Sequence, residues 1–284
     1  LPLGVRTVWV SSSTGDSAGA TWIAASREEP VVASGARLLA IRARTEKVAV
    51  CDCARCSPED DECKLVAKEK SEVQRPYAID LATGAATALL GSIPSGCNGW
   101  TGSVDASFTV GSAVGSVVQL YDGHSFMGCM AAHPSFHDDA QAVDAATGSL
   151  VTATASKPQI ASMLTEARDA LLKEHEGCVT EGEGASYWGA ELVWGPGGRL
   201  RGRYTFTMSA PYACGTGPGH YSVATTIERD ELPERHGPVF EVPKWLASAI
   251  GSDAPRGISL VDPSARAPML ARFRSAPVPA PRAR

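Results

Sequence analysis

Apolar and polar residues alternate over most of the chain, a pattern typical of strands with one buried face. The alternation is clear in residues 5–11, 20–25, 31–50, 187–194, 200–208 and 221–227. Residues 116–150 form the most strand-like stretch and are expected to be a hairpin core. Segments rich in glycine and proline, such as 195–198, separate the runs and favour tight turns. The pattern therefore predicts antiparallel sheets.

Two segments have the period of a helix instead. Residues 157–176 carry one apolar stripe at helical spacing, formed by Ile160, Met163, Leu164, Ala167 and Leu171. Ser156 and Gln159 have the spacing of a capping box, Pro158 suits a first turn, and Gly177 can end the helix. Residues 243–250 predict a second, shorter helix.

The pattern Asp-x-x-Thr-Gly occurs twice, at Asp80 to Gly84 and at Asp144 to Gly148. An aspartate at the start of a turn can accept hydrogen bonds from nearby backbone N–H groups, and the glycine can adopt a positive φ. Both copies are therefore predicted to be turns between strands. Two copies are too few to indicate a repeat protein.

These elements predict an α+β fold, in which an antiparallel β-sheet packs with two helices and follows a β-rich N-terminal region. We expect a β-rich, cysteine-containing region at residues 1–100 and an α+β domain at 101–251. Residues 252–284 are expected to be an extended C-terminal tail, disordered from Ser275 onward, because they lack periodicity.

Composition and charge exclude some classes of function. With 284 residues, of which 44% are hydrophobic and 20% charged, the chain can bury a sizeable core. Its net charge of −5 argues against a nucleic-acid partner, which requires clustered Lys and Arg. No apolar run is long enough for a transmembrane segment. The first residues do not resemble a signal peptide, and we expect any signal or lipid anchor to have been removed.

Eight cysteines indicate an oxidising compartment, periplasmic or extracellular, because disulfides form and persist there. Four of them, Cys51, Cys53, Cys56 and Cys63, lie within thirteen residues. They could bind zinc, but only one Cys-x2-Cys unit is present, so two local disulfides are favoured. We expect Cys178 to pair with Cys214, and Cys97 with Cys129, although spacing alone does not establish connectivity.

Two patterns carry candidate chemistry. Gly15-Asp-Ser17-Ala-Gly19 matches the nucleophile elbow of serine hydrolases, but no helical stripe follows it, so a polar turn is favoured. His133, His137 and Asp138-Asp139, with His124 upstream, are residue types that bind divalent metals. Pro134 argues against a helical histidine pair, and a structural loop histidine is favoured. We therefore predict no metal, no cofactor and no catalytic residue.

Several motifs occur in a characteristic order over about residues 104–233. They are Met130-Ala-Ala-His133-Pro134, Val143-Asp144-Ala-Ala-Thr147-Gly148, the helix at 161–173, Ala210-Pro-Tyr212-Ala-Cys-Gly215 and Asp230-Glu-Leu-Pro233. This order resembles the RsiV-like domain. That family includes the extracellular part of a lysozyme-sensing anti-sigma factor and a module found beside a peptidoglycan deacetylase. The sequence departs from the family pattern at Met130-Ala131.

The resemblance implies a non-catalytic binding or sensing domain at the cell envelope, with a protein such as lysozyme or a peptidoglycan fragment as its partner. His133, Asp144 and Tyr212 are the candidate binding residues. Acidic segments at 174–183 and 230–234 are compatible with a basic partner, although acidic loops also serve solubility alone. The alternative is a hydrolase of wall or ester substrates that acts through Ser17 or the His133 cluster.

Overall fold

A computed structural model describes residues 7–11, 21–25, 30–51, 67–90, 101–129, 134–179, 182–215, 221–237, 239, 242, 244–252, 255–261 and 263–275. Strand is the dominant element in these residues. The strands are β1 (Thr7–Ser11), β2 (Thr21–Ala25), β3 (Val31–Ser34), β4 (Arg37–Cys51), β5 (Ala67–Asp80), β6 (Ala86–Ala88), β7 (Thr101–Val114), β8 (Val117–Gly128), β9 (Ser135–Asp144), β10 (Ser186–Trp194), β11 (Leu200–Ser209), β12 (Ser222–Arg229) and β13 (Gly257–Val261). The helices are α1 (Lys157–Glu174), α2 (Lys244–Ile250) and α3 (Arg266–Ser275). None of the helices in the described ranges is both long and apolar enough to cross a membrane.

The described strands form three sheets. The first has six strands in the order β2-β1-β13-β7-β8-β9, the second has four in the order β3-β4-β5-β6, and the third has three in the order β10-β11-β12. Pairing is antiparallel except that β13 runs parallel to both β1 and β7. The predicted antiparallel sheets are therefore confirmed, but the fold is richer in strands than the α+β class that the sequence suggested.

The segment predicted to be an extended tail contains β13 and α3, and α3 makes a third helix where two were expected. β13 inserts between β1 and β7, far from it in sequence. Gly257 allows a close approach, because a Cβ there would lie 2.9 Å from the Cβ of Ala113. Met269 of α3 is buried beside Leu38 of β4. Both elements depend on these distant partners, so their local sequence carries little signal.

One apolar core joins the four-stranded and six-stranded sheets. Leu39 and Ile41 of β4 pack in the same cluster as Leu120 of β8 and Val143 of β9, and all four are nearly inaccessible to solvent. Residues from both sides of the predicted domain boundary at residue 100 thus share a core. The boundary itself stays a prediction.

Helix α1 covers the apolar face of the three-stranded sheet. Its predicted capping box is confirmed, since Gln159 N–H donates to Ser156 Oγ and Ser156 N–H donates to Gln159 Oε1. Met163, Ala167 and Leu171 are buried against the side chains that alternate on β11, which are Tyr204, Phe206 and Met208. The apolar face of the helix and the apolar face of the strand thus pack together in one core.

Both Asp-x-x-Thr-Gly segments form the predicted turn. In the first, the Asp80 carboxylate accepts the N–H of Ala82 at 2.8 Å, and Gly84 has φ +74°. In the second, the Asp144 carboxylate accepts the N–H of Ala146 at 2.8 Å, and Gly148 also has φ +74°. Burial alone would raise the pKa of Asp80, but the Arg37 guanidinium and the backbone donors outweigh it and hold that pKa below its usual value.

The two turns provide a matched pair of substitutions. Gly84→Ala should lower the free energy of unfolding by about 1 kcal/mol, because alanine disfavours positive φ. Gly148→Ala should lower it by about 2 kcal/mol, because the new Cβ would also lie 2.5 Å from the carbonyl oxygen of Ala88, whereas nothing lies within 4 Å at Gly84. Urea denaturation of both variants tests the difference, and equal losses would show that the second turn shifts freely.

Candidate functional site

A groove lies between β9 and β10, which are edge strands of two different sheets. It encloses about 440 Å³ and is open to solvent on one side. Residues 140–142 of β9 form one wall, residues 187–190 of β10 form the other, and residues 150–154 form the floor. A volume of this size is typical of a site for a small molecule or a short segment of a larger partner.

Small side chains keep the groove open. Ala140 and Ala142 lie on the β9 wall, and Gly189 and Ala190 lie on the β10 wall. A Cβ built on Gly189 would meet no atom within 4 Å. The first atom of a side chain at this position would therefore displace no atom of the protein.

The β10 wall contains a β-bulge that places an aromatic side chain at the groove. The register with β11 shifts between Tyr187 and Gly189, so Trp188 has no partner in the ladder. Tyr187 fixes the start of the strand, since its ring packs against Phe206 with centroids 5.9 Å apart and its hydroxyl accepts the N–H of Ala155. Bulges at sheet edges commonly redirect a side chain in this way. Trp188 lines the groove beside Gly189.

The floor is an extended segment that begins against β9 and then leaves it. Val151 N–H donates to the carbonyl of Ala142 at 2.7 Å, and Leu150, which is 65% exposed, bridges to Val143. Three residues after Val151, Thr154 instead exchanges two backbone hydrogen bonds with Arg235. As far as the described residues show, this departure leaves the outer edge of β9 without a backbone partner at Ala140.

A buried polar cluster behind the groove holds the two sheets together. Glu191 of β10 is only 5% exposed at its side chain and accepts hydrogen bonds from the Tyr121 hydroxyl of β8 and, at 3.3 Å, from Arg203 Nη1 of β11. Arg203 also donates to Glu228 Oε1 at 2.9 Å. Gly111 of β7 provides the space for Tyr121, because a Cβ there would lie 2.8 Å from the Tyr121 ring.

Burial controls protonation in this cluster. It raises the pKa of the Glu191 carboxyl above its usual value, although Tyr121 and Arg203 act in the opposite direction. Burial and the nearby Glu191 carboxyl also raise the pKa of the Tyr121 hydroxyl, which therefore stays protonated and donates its hydrogen to Glu191. The cluster fixes the position of Ala190, the residue before Glu191, at the rim of the groove.

Tyr212 forms a second exposed feature at the end of the three-stranded sheet. It lies in a short 3₁₀ turn after β11 and is 46% exposed, and its ring lies 6.0 Å from that of Tyr221, which is 59% exposed. A disulfide between Cys178 and Cys214 ties this turn to the segment after α1. Tyr212 is therefore a surface residue.

Of the other candidate binding residues, Asp144 does not line the groove. His133 lies outside the described residues, as does Ser17. Asp144 shapes its turn, and its carboxylate also accepts a hydrogen bond from Ser116 Oγ at 3.3 Å. In the backbone register of the first sheet, His124 of β8 lies opposite His137 of β9. Among the described residues, no three metal-ligating side chains meet.

The cysteine predictions are confirmed in part. Cys178 and Cys214 are bonded as expected, and Cys129 is also in a disulfide. Its predicted pairing with Cys97 lies outside the described residues, as do Cys53, Cys56 and Cys63, and of Cys51 only the backbone is described. The choice between zinc and disulfides in that segment stays a prediction.

The groove was not predictable from the sequence. Its walls come from segments about 50 residues apart, at 140–142 and 187–190. The local signal was limited to small residues in two strands, Ala140 and Ala142 in one and Gly189 and Ala190 in the other. In comparisons with known proteins, no family model and no curated protein matches the chain, and the RsiV-like resemblance stays a prediction.

Proposed function

We propose that the chain is a non-catalytic binding domain of the cell envelope and that its partner enters the groove between β9 and β10. The observation that carries this proposal is the groove itself, whose walls are edge strands with small side chains and whose lining includes Trp188. Paired strands form these walls, and the buried Glu191 cluster anchors one of them. A preformed concave site of this kind binds without a large ordering cost.

The disulfides support a location outside the reducing cytosol, in the periplasm or beyond the cell. The bond between Cys178 and Cys214 closes a loop of 36 residues that includes β10 and β11. Such bonds persist in oxidising compartments. The groove would therefore meet proteins and wall fragments of the envelope.

The partner that the resemblance implies is a wall-active protein such as lysozyme, or a peptidoglycan fragment. The net charge of −5 favours a basic protein through electrostatic steering. Part of the acidic surface is compensated, because Asp230 pairs with both Arg199 and Arg201. Trp188 offers an aromatic surface on which an apolar group or a sugar ring can pack. The hydrolase alternative stays a prediction, since both Ser17 and His133 lie outside the described residues.

Gly189→Tyr tests the groove directly. The new side chain should fill it and weaken binding of the partner by about tenfold or more, with little change in stability because the site is open. Isothermal titration calorimetry with lysozyme and with purified muropeptides measures this effect. Gly182→Tyr is the matched control, because Gly182 also has open space around its Cβ and does not line the groove.

Absence of heat with both ligands would remove these named partners. Equal binding by the wild type and Gly189→Tyr would place the binding surface outside the groove, and the Tyr212–Tyr221 pair would then be the next surface to change.

A further inference from the structure

We propose that the groove binds an extended polypeptide segment, which adds as a strand to the free edge of β10 beside Ala190. This inference rests on the proposed function and names the chemical class of its ligand. It follows from the direction of the backbone groups that line the two walls.

On β10, the backbone groups of Ala190 point away from β11. The carbonyl of Leu192 accepts a hydrogen bond from Ser112 Oγ of β7 at 2.7 Å, so it faces the outer side of the strand. Gly195 N–H donates to Arg199 O across the turn, so the backbone groups of Gly195 face β11. The other odd-numbered residues of β10 therefore also face β11. Because backbone direction alternates along a strand, Ala190 presents both its N–H and its C=O to the groove.

On β9, Ala140 presents its backbone in the same manner. The segment that follows the second turn bonds to two residues of β9. Asp144 N–H donates to the carbonyl of Ser149, and the carbonyl of Ala142 accepts the N–H of Val151. These even-numbered residues therefore face away from β8, and so does Ala140. The following segment leaves β9 after Val151, and the backbone groups of Ala140 have no partner among the described residues.

The β10 edge contains a bulge between Tyr187 and Gly189, but it lacks two other common protections against added strands. Native proteins protect exposed edges with proline, with lysine or with a covering segment. The β10 sequence, Ser-Tyr-Trp-Gly-Ala-Glu-Leu-Val-Trp, contains neither proline nor lysine, and its single charged residue, Glu191, is buried. In the described part of the chain, no backbone group pairs with this edge at Ala190.

These features suit a peptide backbone better than a glycan. At the rim, main-chain donors and acceptors with the spacing of a strand lie beside the small residues Ala140, Gly189 and Ala190. The polar side chains of Gln141, Thr152 and Thr154 also line the groove. An added strand obtains its affinity from main-chain hydrogen bonds and its specificity from pockets for alternate side chains. The space beside Trp188 can serve as such a pocket.

The test uses the full oxidised chain and a displayed library of peptides of about six residues, a typical strand length. We expect selected peptides to bind and to slow hydrogen exchange at the Ala190 amide. N-methylation of alternate peptide residues should weaken binding by about tenfold or more, because it removes main-chain donors and keeps the side chains. Ala190→Pro should have the same effect, since the lost N–H does not serve the ladder with β11.

If Ala190→Pro fails to fold, the N-methylated peptides and the exchange measurement still show whether a peptide adds as a strand at Ala190. A library that yields no binder, or binders that leave exchange at Ala190 unchanged, would overturn the inference. If muropeptides or lysozyme then bind the wild type and not Gly189→Tyr, the proposed function still holds and only its peptide ligand is wrong. If peptides bind with protection at Ala190 while lysozyme and muropeptides do not, the inference holds and the named partners are wrong.

Discussion

Replacing both Cys178 and Cys214 with alanine should lower the free energy of unfolding by about 4 kcal/mol. The bond spans 36 residues, and a cross-link of that length restricts the unfolded chain strongly. It also ties the Tyr212 turn to the segment after α1, so the variant should lose the contact between Tyr212 and Tyr221. Equilibrium denaturation in guanidinium chloride and the near-ultraviolet circular dichroism of the tyrosines measure the two effects.

A reductant provides the control for this variant. In oxidising buffer, the double variant should have a lower free energy of unfolding than the wild type. Adding reductant should make the two free energies of unfolding more similar, because the wild type then loses the same bond. A loss below about 1 kcal/mol in oxidising buffer would mean that the bond adds little to stability, well under the usual range for native disulfides. It would also weaken the inference of an oxidising compartment.

Arg203→Met should lower the free energy of unfolding by about 3 kcal/mol, because it leaves the Glu191 carboxylate buried without its cation. The matched control is Arg199→Met. Arg199 pairs with Asp230 at 3.4 Å, but their side chains are 71% and 66% exposed, so that loss should stay below about 1 kcal/mol. Urea denaturation of both variants measures the contrast, and equal losses would show that burial does not set the strength of these pairs.

The loss from Arg203→Met should also depend on pH. Burial already raises the pKa of Glu191, so the folded state holds this proton to a higher pH than the unfolded chain does. Without the guanidinium the pKa rises further. The difference in stability from the wild type should therefore be larger at pH 7, where the unfolded carboxyl is ionised, than at about pH 4, where much of it is protonated. Adding Glu191→Gln to the variant should remove most of this dependence.

Features set by local sequence were predictable. The capping box at Ser156, the apolar stripe of α1 and both Asp-x-x-Thr-Gly turns depend on residues within a few positions of one another. The alternation of Tyr204, Phe206 and Met208 likewise predicted the buried face of β11. Each of these needs only the period of its own element or the hydrogen bonds of a single turn.

Features set by distant contacts were not predictable from the sequence. β13 is a strand because β1 and β7 lie on either side of it, and its five residues give no sign of those partners. Tyr121 and Glu191 meet although 70 positions separate them in the chain. The groove has the same origin, since its two walls belong to different sheets. A single sequence does not specify which edge strands will face each other.

The central claim is that the groove between β9 and β10 is the binding site. The most direct test is to titrate the wild type, Gly189→Tyr and Gly182→Tyr with one envelope ligand that binds the wild type, under identical conditions. We predict that Gly189→Tyr binds at least about tenfold more weakly, while Gly182→Tyr binds as the wild type does. Equal affinity for all three proteins would contradict the claim.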